Sequence, residues 1–155
     1  MIEKFVHILA LCHTIIVENK DGNITYNASS PDELALINAA RYFGMVFESR
    51  DENNRIVLYD KRKNTRVEFH LLNVIEFTST RKRMSVIVKT SDNKIYCLTK
   101  GADSIILPRL KPGQEEIKAH TLKYIEEYAN EGLRTLLLVQ KEVDSDFYLD
   151  WNRKY

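Results

Sequence analysis

Residues 77–88 read Phe77-Thr78-Ser79-Thr80-Arg81-Lys82-Arg83-Met84-Ser85-Val86-Ile87-Val88, and the rest of the chain is organised around them. An apolar strand predicted upstream ends at the aromatic ring, and a second apolar strand begins at Met84. The crossing between them carries hydroxyls and three consecutive basic residues. It brings a flat aromatic face and cationic donors to one end of a sheet, which suits a ligand made of a base and phosphates. Taken alone, the stretch is equally consistent with a hairpin whose connection is solvated by arginine and lysine.

Period-two patterning on both sides of this crossing predicts an antiparallel sheet. Such a sheet needs helices over at least one face, so the predicted fold is α+β, with about six or seven antiparallel strands flanked by helices. A turn at Asp21-Gly22-Asn23 separates two further short apolar segments. The predicted strands of the sheet are residues 45–50, 55–60, 65–77, 84–89, 94–99 and 134–139.

Helical signals stand between these strands. Apolar residues at helical spacing predict a helix over residues 2–13. Ser30-Pro31-Asp32-Glu33 predicts a helix start with serine at N-cap, proline in the first turn and a glutamate that completes a capping box. Gly44 is the predicted stop of that helix. A short helix is predicted to begin at residues 100–104, and a longer one is predicted to end near Gly132.

Composition limits the class of protein. The chain has 155 residues, 44% hydrophobic and 29% charged, which fits one globular domain. A net charge of +1 argues against a general nucleic-acid or membrane-surface binder, so any anion site must be local. Cys12 and Cys97 are far apart and are predicted to be reduced core thiols, with no metal expected at Cys12-His13. No apolar run reaches the roughly 18 residues that span a bilayer, which predicts a soluble domain.

Four places carry residues suited to binding. The sequence has no phosphate loop, dinucleotide fingerprint or nucleophile motif. Phe77 at a strand end offers a stacking face, and Lys100-Gly101 places a cation beside a residue that permits close approach of a ligand to the backbone. Arg134 at the start of an apolar strand has a fork that fits a phosphate, and Glu33 supplies an acceptor. Each also has a purely structural interpretation: a last core residue, a solvated lysine, a strand-edge arginine and a helix cap.

As a set, four segments resemble the nucleotide-binding (N) domain of P-type ATPases: residues 29–36, 77–88, 100–103 and 131–136. The Lys-Gly-Ala triplet, and the phenylalanine before a basic Met-Ser strand, are general to that superfamily. The Ser-Pro-Asp-Glu helix start, the Arg-Lys-Arg-Met-Ser core and Lys-Gly-Ala-Asp point instead to its type IV branch, the phospholipid flippases. Leu11-Cys12-His13-Thr14 and the tail around Trp151 are similar to that branch as well. The resemblance covers nearly the whole chain, with the motifs in the expected order.

The resemblance implies an ATP site. Phe77 would stack on adenine, Glu33 would sit at the adenine edge, and Lys100, followed by Gly101, would lie at the pocket floor near adenine and ribose. On this basis the expected ATP affinity is weak, roughly −4 to −6 kcal/mol, which corresponds to a dissociation constant from millimolar to tens of micromolar.

The same resemblance implies a phosphate side. Ser79 and Lys82 would line the base and phosphate side of the cleft, and Arg134 would reach the phosphates. Mg²⁺ would accompany the nucleotide, with its ligands mainly in a separate phosphorylation domain. No metal ligand and no catalytic residue are expected in this chain, because the family's phosphorylated aspartate motif is absent from the sequence.

Residues 1–155 are therefore expected to be a single nucleotide-binding domain from a larger multi-pass membrane ATPase, on its cytosolic face. The domain would bind ATP without turnover and would be a monomer in isolation. Its partners would be the phosphorylation and actuator domains, with phospholipid and an accessory β-subunit engaged only through the parent. Two alternatives remain: the N domain of a cation-transporting P-type ATPase, and an interaction module that kept the fold and lost the nucleotide. A nucleic-acid module is disfavoured, because the basic cluster is short.

Overall fold

The structure, a computed structural model, describes residues 2–155. These residues form helices and antiparallel strands. The helices are α1 (Ile2–Leu11), α2 (Pro31–Tyr42), α3 (Asp103–Ile106), α4 (Glu115–Asn130) and α5 (Ser145–Asn152), with a 3₁₀ turn at Leu107–Arg109. The strands are β1 (Ile16–Lys20), β2 (Asn23–Asn27), β3 (Met45–Arg50), β4 (Arg55–Asp60), β5 (Thr65–Ile75), β6 (Arg83–Thr90), β7 (Ile95–Gly101) and β8 (Leu137–Val143).

Six strands form one antiparallel sheet in sequence order, from β3 to β8, and β1 pairs with β2 as a separate hairpin. The predicted α+β class with an antiparallel sheet is confirmed. Neighbouring strands from β3 to β7 are joined by short connections, so most of the sheet forms by local pairing. Only the step from β7 to β8 passes through helices, because α3 and α4 lie between them.

One face of the sheet is covered by α1 and α2 and holds the main core. α1 buries Val6 and Leu9, as its helical spacing predicts, whereas Ile2 and Phe5 of the same spacing are exposed. α2 contributes Ile37 and Ala40. Sheet residues such as Phe47, Leu58, Val86 and Val88 complete this cluster. The opposite face carries a smaller cluster, in which Tyr148 and Trp151 of α5 meet Ile87 and Ile95.

Several predicted boundaries were wrong in ways that matter for the site. β5 ends at Ile75, so Phe77 lies in the connection after the strand. The last strand begins at Leu137, which leaves Arg134 in the loop that precedes it. Lys100 and Gly101 belong to β7 itself, and the short helix begins only at Asp103. Phe77 and Arg134 therefore lie in loops and not in strands, whereas Lys100 lies in a strand.

Two helices behave differently from the rest. No element is predicted for the tail, yet α5 forms there, and the Asp144 carboxylate caps it by accepting hydrogen bonds from the backbone N–H groups of Asp146 and Phe147. α4 was predicted, but it buries none of its residues. None of the helices in residues 2–155 combines the length and hydropathy needed to cross a bilayer.

Candidate nucleotide-binding site

A cleft of about 370 Å³ opens where the N-terminus of α2 faces the ends of β5, β6 and β7. We call it the Phe77 cleft. This volume lies within the range of small-molecule sites in proteins. It is lined by Thr14, Ser29, Ser30, Asp32, Glu33, Leu36, Glu76, Phe77, Met84, Lys100, Gly101 and Leu136.

Phe77 lines this cleft, and 61% of the residue is exposed to solvent. The connection that carries it is held by Arg81, whose Nη1 donates to the carbonyls of Ile75 (3.3 Å), Glu76 (2.7 Å) and Arg83 (3.3 Å). The exposure of Phe77 beside the cleft leaves its ring free to contact a ligand. This exposure excludes the alternative interpretation of Phe77 as the last core residue of its strand.

The basic crossing is therefore less available to a ligand than its sequence predicts. The guanidinium of Arg81 is used to close the loop, and Arg83 Nη1 donates to the carbonyl of Arg81 at 3.1 Å. Lys82 is exposed and has a left-handed backbone, with φ of 51°. Ser79 is exposed on the same loop. Neither Ser79 nor Lys82 lines the Phe77 cleft, so their predicted contacts with the nucleotide depend on a ligand that extends beyond it.

The cleft floor contains a buried ion pair. Lys100 Nζ donates to Glu33 Oε1 at 2.8 Å, and the two residues are only 8% and 9% exposed. Glu33 Oε2 accepts from the hydroxyl of Thr14 at 2.9 Å and from its backbone N–H at 3.3 Å. Burial raises the pKa of Glu33, but the Lys100 and Thr14 bonds and the lysine's charge outweigh it, so the pKa lies below its ordinary value. Glu33 is thus an ionised acceptor at neutral pH.

The capping box predicted for α2 does not form. Ser30 stands at the N-cap with an extended backbone, but its side chain makes no capping bond. Glu33, three residues later, turns away from its own helix toward Lys100 and Thr14. The prediction was wrong because a buried ammonium and two further donors offer the carboxylate stronger partners than one backbone N–H.

Gly101 lines the cleft, but its lack of a side chain has a different reason from the predicted one. A Cβ at this position would lie 2.6 Å from Cβ of Arg83 and 2.9 Å from the carbonyl oxygen of Lys82. Arg83 and Gly101 are direct partners between β6 and β7. The glycine is therefore required by the close approach of the basic crossing to β7. Because it allows this approach, Gly101 sets how near the Phe77 loop comes to Lys100.

Arg134 reaches the cleft rim through an ion pair. Its Nη1 lies 2.6 Å from Asp32 Oδ2, and Asp32 belongs to the cleft lining although Arg134 does not. The turn that delivers it has Gly132 at φ of 76°, with Leu133 N–H donating to the Tyr128 carbonyl at 2.9 Å. This is the C-terminal arrangement that left-handed glycine favours. Both side chains are largely exposed, so the pair is readily exchanged for another anion.

Sequence reasoning missed Thr14 and the buried turn that positions it. His13 Nε2 donates to the Ala10 carbonyl at 2.8 Å, and its Nδ1 accepts from the Ile15 N–H at 3.2 Å. Burial lowers the pKa of His13 to about 4, so the ring is neutral. The thiol of Cys12 points to the carbonyls of two sheet residues, and burial raises its pKa to about 12. Two signals in the sequence pointed to Thr14: it follows a predicted helix end directly, and it belongs to the segment Leu11-Cys12-His13-Thr14 that is similar to the flippase branch.

The donor set fits a nucleotide better than it fits a metal. An exposed ring, a buried acceptor–donor pair and a rim guanidinium match a base, its edge and an anionic tail. Within residues 2–155, no group of three or more His, Cys, Asp or Glu side chains is arranged to hold a metal ion. The cleft lining carries three carboxylates and one ammonium, from Asp32, Glu33, Glu76 and Lys100. Because this lining is net negative, cationic side chains that bind phosphates must lie at the rim of the cleft.

The structure thus brings Glu33, Phe77, Lys100 and Gly101 to one cleft, with Arg134 at its rim. Comparison with known proteins identifies the family of the chain. Residues 1–154 match the family model described as P-type ATPase, cytoplasmic domain N.

The chain is also similar to curated phospholipid-transporting ATPases along nearly all of its length. It is 44% identical to Phospholipid-transporting ATPase 10 of Arabidopsis thaliana over the whole chain, which is 13% of that protein. It is 43% identical to Phospholipid-transporting ATPase ID of Mus musculus over 97% of the chain, which is 12% of that protein. A Schizosaccharomyces pombe phospholipid-transporting ATPase is 42% identical over 96% of the chain, which is 11% of that protein. The chain therefore belongs to the cytoplasmic N-domain family of the P-type ATPases.

Proposed function

We propose that this chain is the ATP-binding domain of a phospholipid-translocating P-type ATPase and that the Phe77 cleft holds the adenine. The observation that carries the proposal is that one cleft is lined by the exposed Phe77 and by the buried Glu33–Lys100 ion pair. The phospholipid branch is supported by the identity of the chain to phospholipid-transporting ATPases. It is favoured over the cation-transporting alternative for that reason.

The base would stack on Phe77 and direct its polar edge to the cleft floor. Stacking of a base on an aromatic side chain is worth about 1–3 kcal/mol. Glu33 is ionised and held by three donors, so it accepts a hydrogen bond from an amino group without reorganisation. Lys100 supplies a donor beside it. Together these contacts would bind and orient the base.

The phosphates would leave the cleft at its rim. Arg134 would exchange its exposed bond to Asp32 for a phosphate oxygen, at a cost of about 0–1 kcal/mol for the surface pair it gives up. Ser79 and Lys82 lie exposed on the loop that follows Phe77, and they would contact a triphosphate chain that extends beyond the cleft. Mg²⁺, when bound with the nucleotide, would neutralise phosphate charge.

The domain would hold ATP for another domain to use. The sequence lacks the aspartate motif that accepts the phosphoryl group in this family, so hydrolysis and lipid movement belong to the parent protein. The contribution of this chain is to position the nucleotide, which lowers the entropic cost of the transfer step. The expected partners are ATP and the phosphorylation and actuator domains.

Calorimetric titration with ATP tests the proposal. We expect a dissociation constant between about 10 µM and 1 mM. Phe77→Ala should weaken binding by about ten-fold or more, because the stacking surface is lost. Phe147→Ala removes a ring of similar exposure, 64%, from the other face of the sheet and should leave the affinity unchanged. Equal ATP affinity in the two variants would contradict the assignment of the cleft.

The finer claim, phospholipid transport, needs the full-length protein. Reconstituted in vesicles with a fluorescent phospholipid in one leaflet, it should move the lipid in the presence of Mg-ATP, and Phe77→Ala should slow that movement. Translocation that is absent in both wild type and variant, together with ion-stimulated ATP hydrolysis, would support a cation pump instead.

A further inference from the structure

We propose that Thr14 is a positioning residue for purine recognition. Its hydroxyl and amide hold one oxygen of Glu33, so that the other stays on Lys100 and the cleft floor presents an acceptor and a donor in a fixed order. That order selects a 6-aminopurine over a 6-oxopurine. This inference rests on the proposed binding of ATP in the Phe77 cleft.

The position of Thr14 is set by the buried turn after α1. The His13 ring hydrogen-bonds to the backbone of Ala10 before the turn and of Ile15 after it. It also packs edge-on against Phe47, with ring centroids 4.7 Å apart. His13 is 6% exposed, so this clamp is part of the core. Thr14 itself lines the cleft, and its two donors therefore approach Glu33 from a rigid support.

Glu33 has an alternative partner, the backbone N–H at the N-cap of its own helix, and the bond from Thr14 helps to keep it from that partner. The residue stands three positions after the N-cap, where a glutamate ordinarily returns to the N-cap backbone N–H. In the structure Oε2 is instead occupied by Thr14 and Oε1 by Lys100. Loss of the Thr14 hydroxyl leaves Oε2 with the longer amide contact alone, 3.3 Å, and frees the carboxylate to rotate toward its own helix. The acceptor at the cleft floor is then no longer fixed.

The fixed order matters because purines differ at this edge. Adenine presents an amino donor next to a ring-nitrogen acceptor, which complements a carboxylate next to an ammonium. Hypoxanthine presents a carbonyl acceptor next to a ring N–H donor, so its carbonyl faces the carboxylate and its N–H faces the ammonium. Buried polar groups that remain unpaired in this way are the usual source of strong discrimination between ligands.

The test compares ATP with ITP, whose base is hypoxanthine, on four proteins: wild type, Thr14→Val, Thr14→Ser and Thr65→Val. Valine keeps the shape of threonine but has no hydroxyl, whereas serine retains it. Thr65 is exposed at the opposite end of β5 from the Phe77 loop and is the matched control. Dissociation constants come from calorimetry, and circular dichroism checks that each variant is folded.

Wild type should bind ATP about ten-fold more tightly than ITP. Thr14→Val should weaken ATP binding by about five-fold, leave ITP within about two-fold and so bring the ratio toward one. Thr14→Ser and Thr65→Val should keep the wild-type ratio. If Thr14 has a purely structural role, Thr14→Val will weaken the binding of ATP and ITP equally. An unchanged ratio of the two dissociation constants in Thr14→Val would therefore overturn the inference.

Two further results separate the failures. If wild type binds neither nucleotide, the proposed function fails, and this inference fails with it. If wild type binds ATP and the Thr14→Val ratio is unchanged, only the inference fails. Should Thr14→Val not fold, amide NMR of wild type decides: ATP should shift the Thr14 amide resonance strongly and ITP weakly, and equal shifts would overturn the role of Thr14.

Discussion

Lys100→Met removes the ammonium from the cleft floor and leaves the Glu33 carboxylate buried. Breaking a buried pair in this way costs about 3–5 kcal/mol when nothing replaces the lost partner. Here Thr14 keeps two donors on the carboxylate and the cleft is open to water, so we expect a loss of about 2–3 kcal/mol at pH 7. For a domain of this size that is a fall in the melting temperature of about 5–10 °C. The variant should remain folded, because domain stability is about 5–15 kcal/mol.

The loss of stability in Lys100→Met should depend on pH in a definite direction. In the wild type the pKa of Glu33 lies below its ordinary value of 4.5, so its ionised form contributes stability above that pH and loses it as pH falls through the folded-state pKa. Without Lys100, burial dominates and the pKa rises. The destabilisation is then present at neutral pH and is relieved as the carboxylate takes a proton. The difference between the two proteins should be largest at pH 7 and should shrink as pH falls, first through the raised pKa of Glu33 in the variant and then through its lowered pKa in the wild type.

Thermal and urea unfolding between pH 3.5 and 7.5 measure these differences. Lys94→Met, at an exposed position just before β7, is the matched control and should change stability by less than about 0.5 kcal/mol. The double variant Glu33→Gln with Lys100→Met should recover part of the loss, because no buried charge remains. A Lys100→Met variant as stable as the Lys94 control, or a loss that grows as pH falls, would refute the reasoning.

Three other predictions follow from the geometry. Phe77→Ala should change the free energy of unfolding by less than about 0.5 kcal/mol, because the ring is mostly exposed; a larger loss in urea unfolding, with Phe147→Ala for comparison, would place it in the core. Gly101→Ala should destabilise the domain by about 1–3 kcal/mol, since its Cβ would meet the paired β6 residue, and a neutral effect in the same assay would contradict that contact. At pH 8 a thiol reagent should label partly exposed Cys97 in the native protein and Cys12 only after unfolding, because burial raises the pKa of Cys12 to about 12; rapid native labelling of Cys12 would be inconsistent with the buried turn.

Much of the fold was readable from local patterns. Period-two alternation and polar turns located the hairpins, because in an antiparallel sheet with one covered face each strand alternates sides. Gly44 and Gly132 marked helix ends, and both have the left-handed backbone that glycine favours. The unpredicted α5 depended on a single aspartate cap that precedes a short, weakly patterned segment.

The site was harder to predict, because its parts are joined by contacts across long sequence separations. The local sequence predicted that Glu33 caps its helix, but in the structure it binds Lys100, which is 67 residues away in the chain. Arg81 looked like a ligand for anions, but it folds back onto three carbonyls of its own connection. Local sequence shows that a group is polar; only the tertiary structure shows which competing partner it takes.

The central claim is that adenine lies on the Phe77 ring, and intermolecular NOEs in a complex with ATP test it most directly. If adenine stacks there, NOEs will connect the adenine protons to the Phe77 ring, and the amide resonances of Thr14, Lys100 and Gly101 will shift. Adenine NOEs confined to residues elsewhere, for example on α4 and β8, with no change at Phe77, would contradict it.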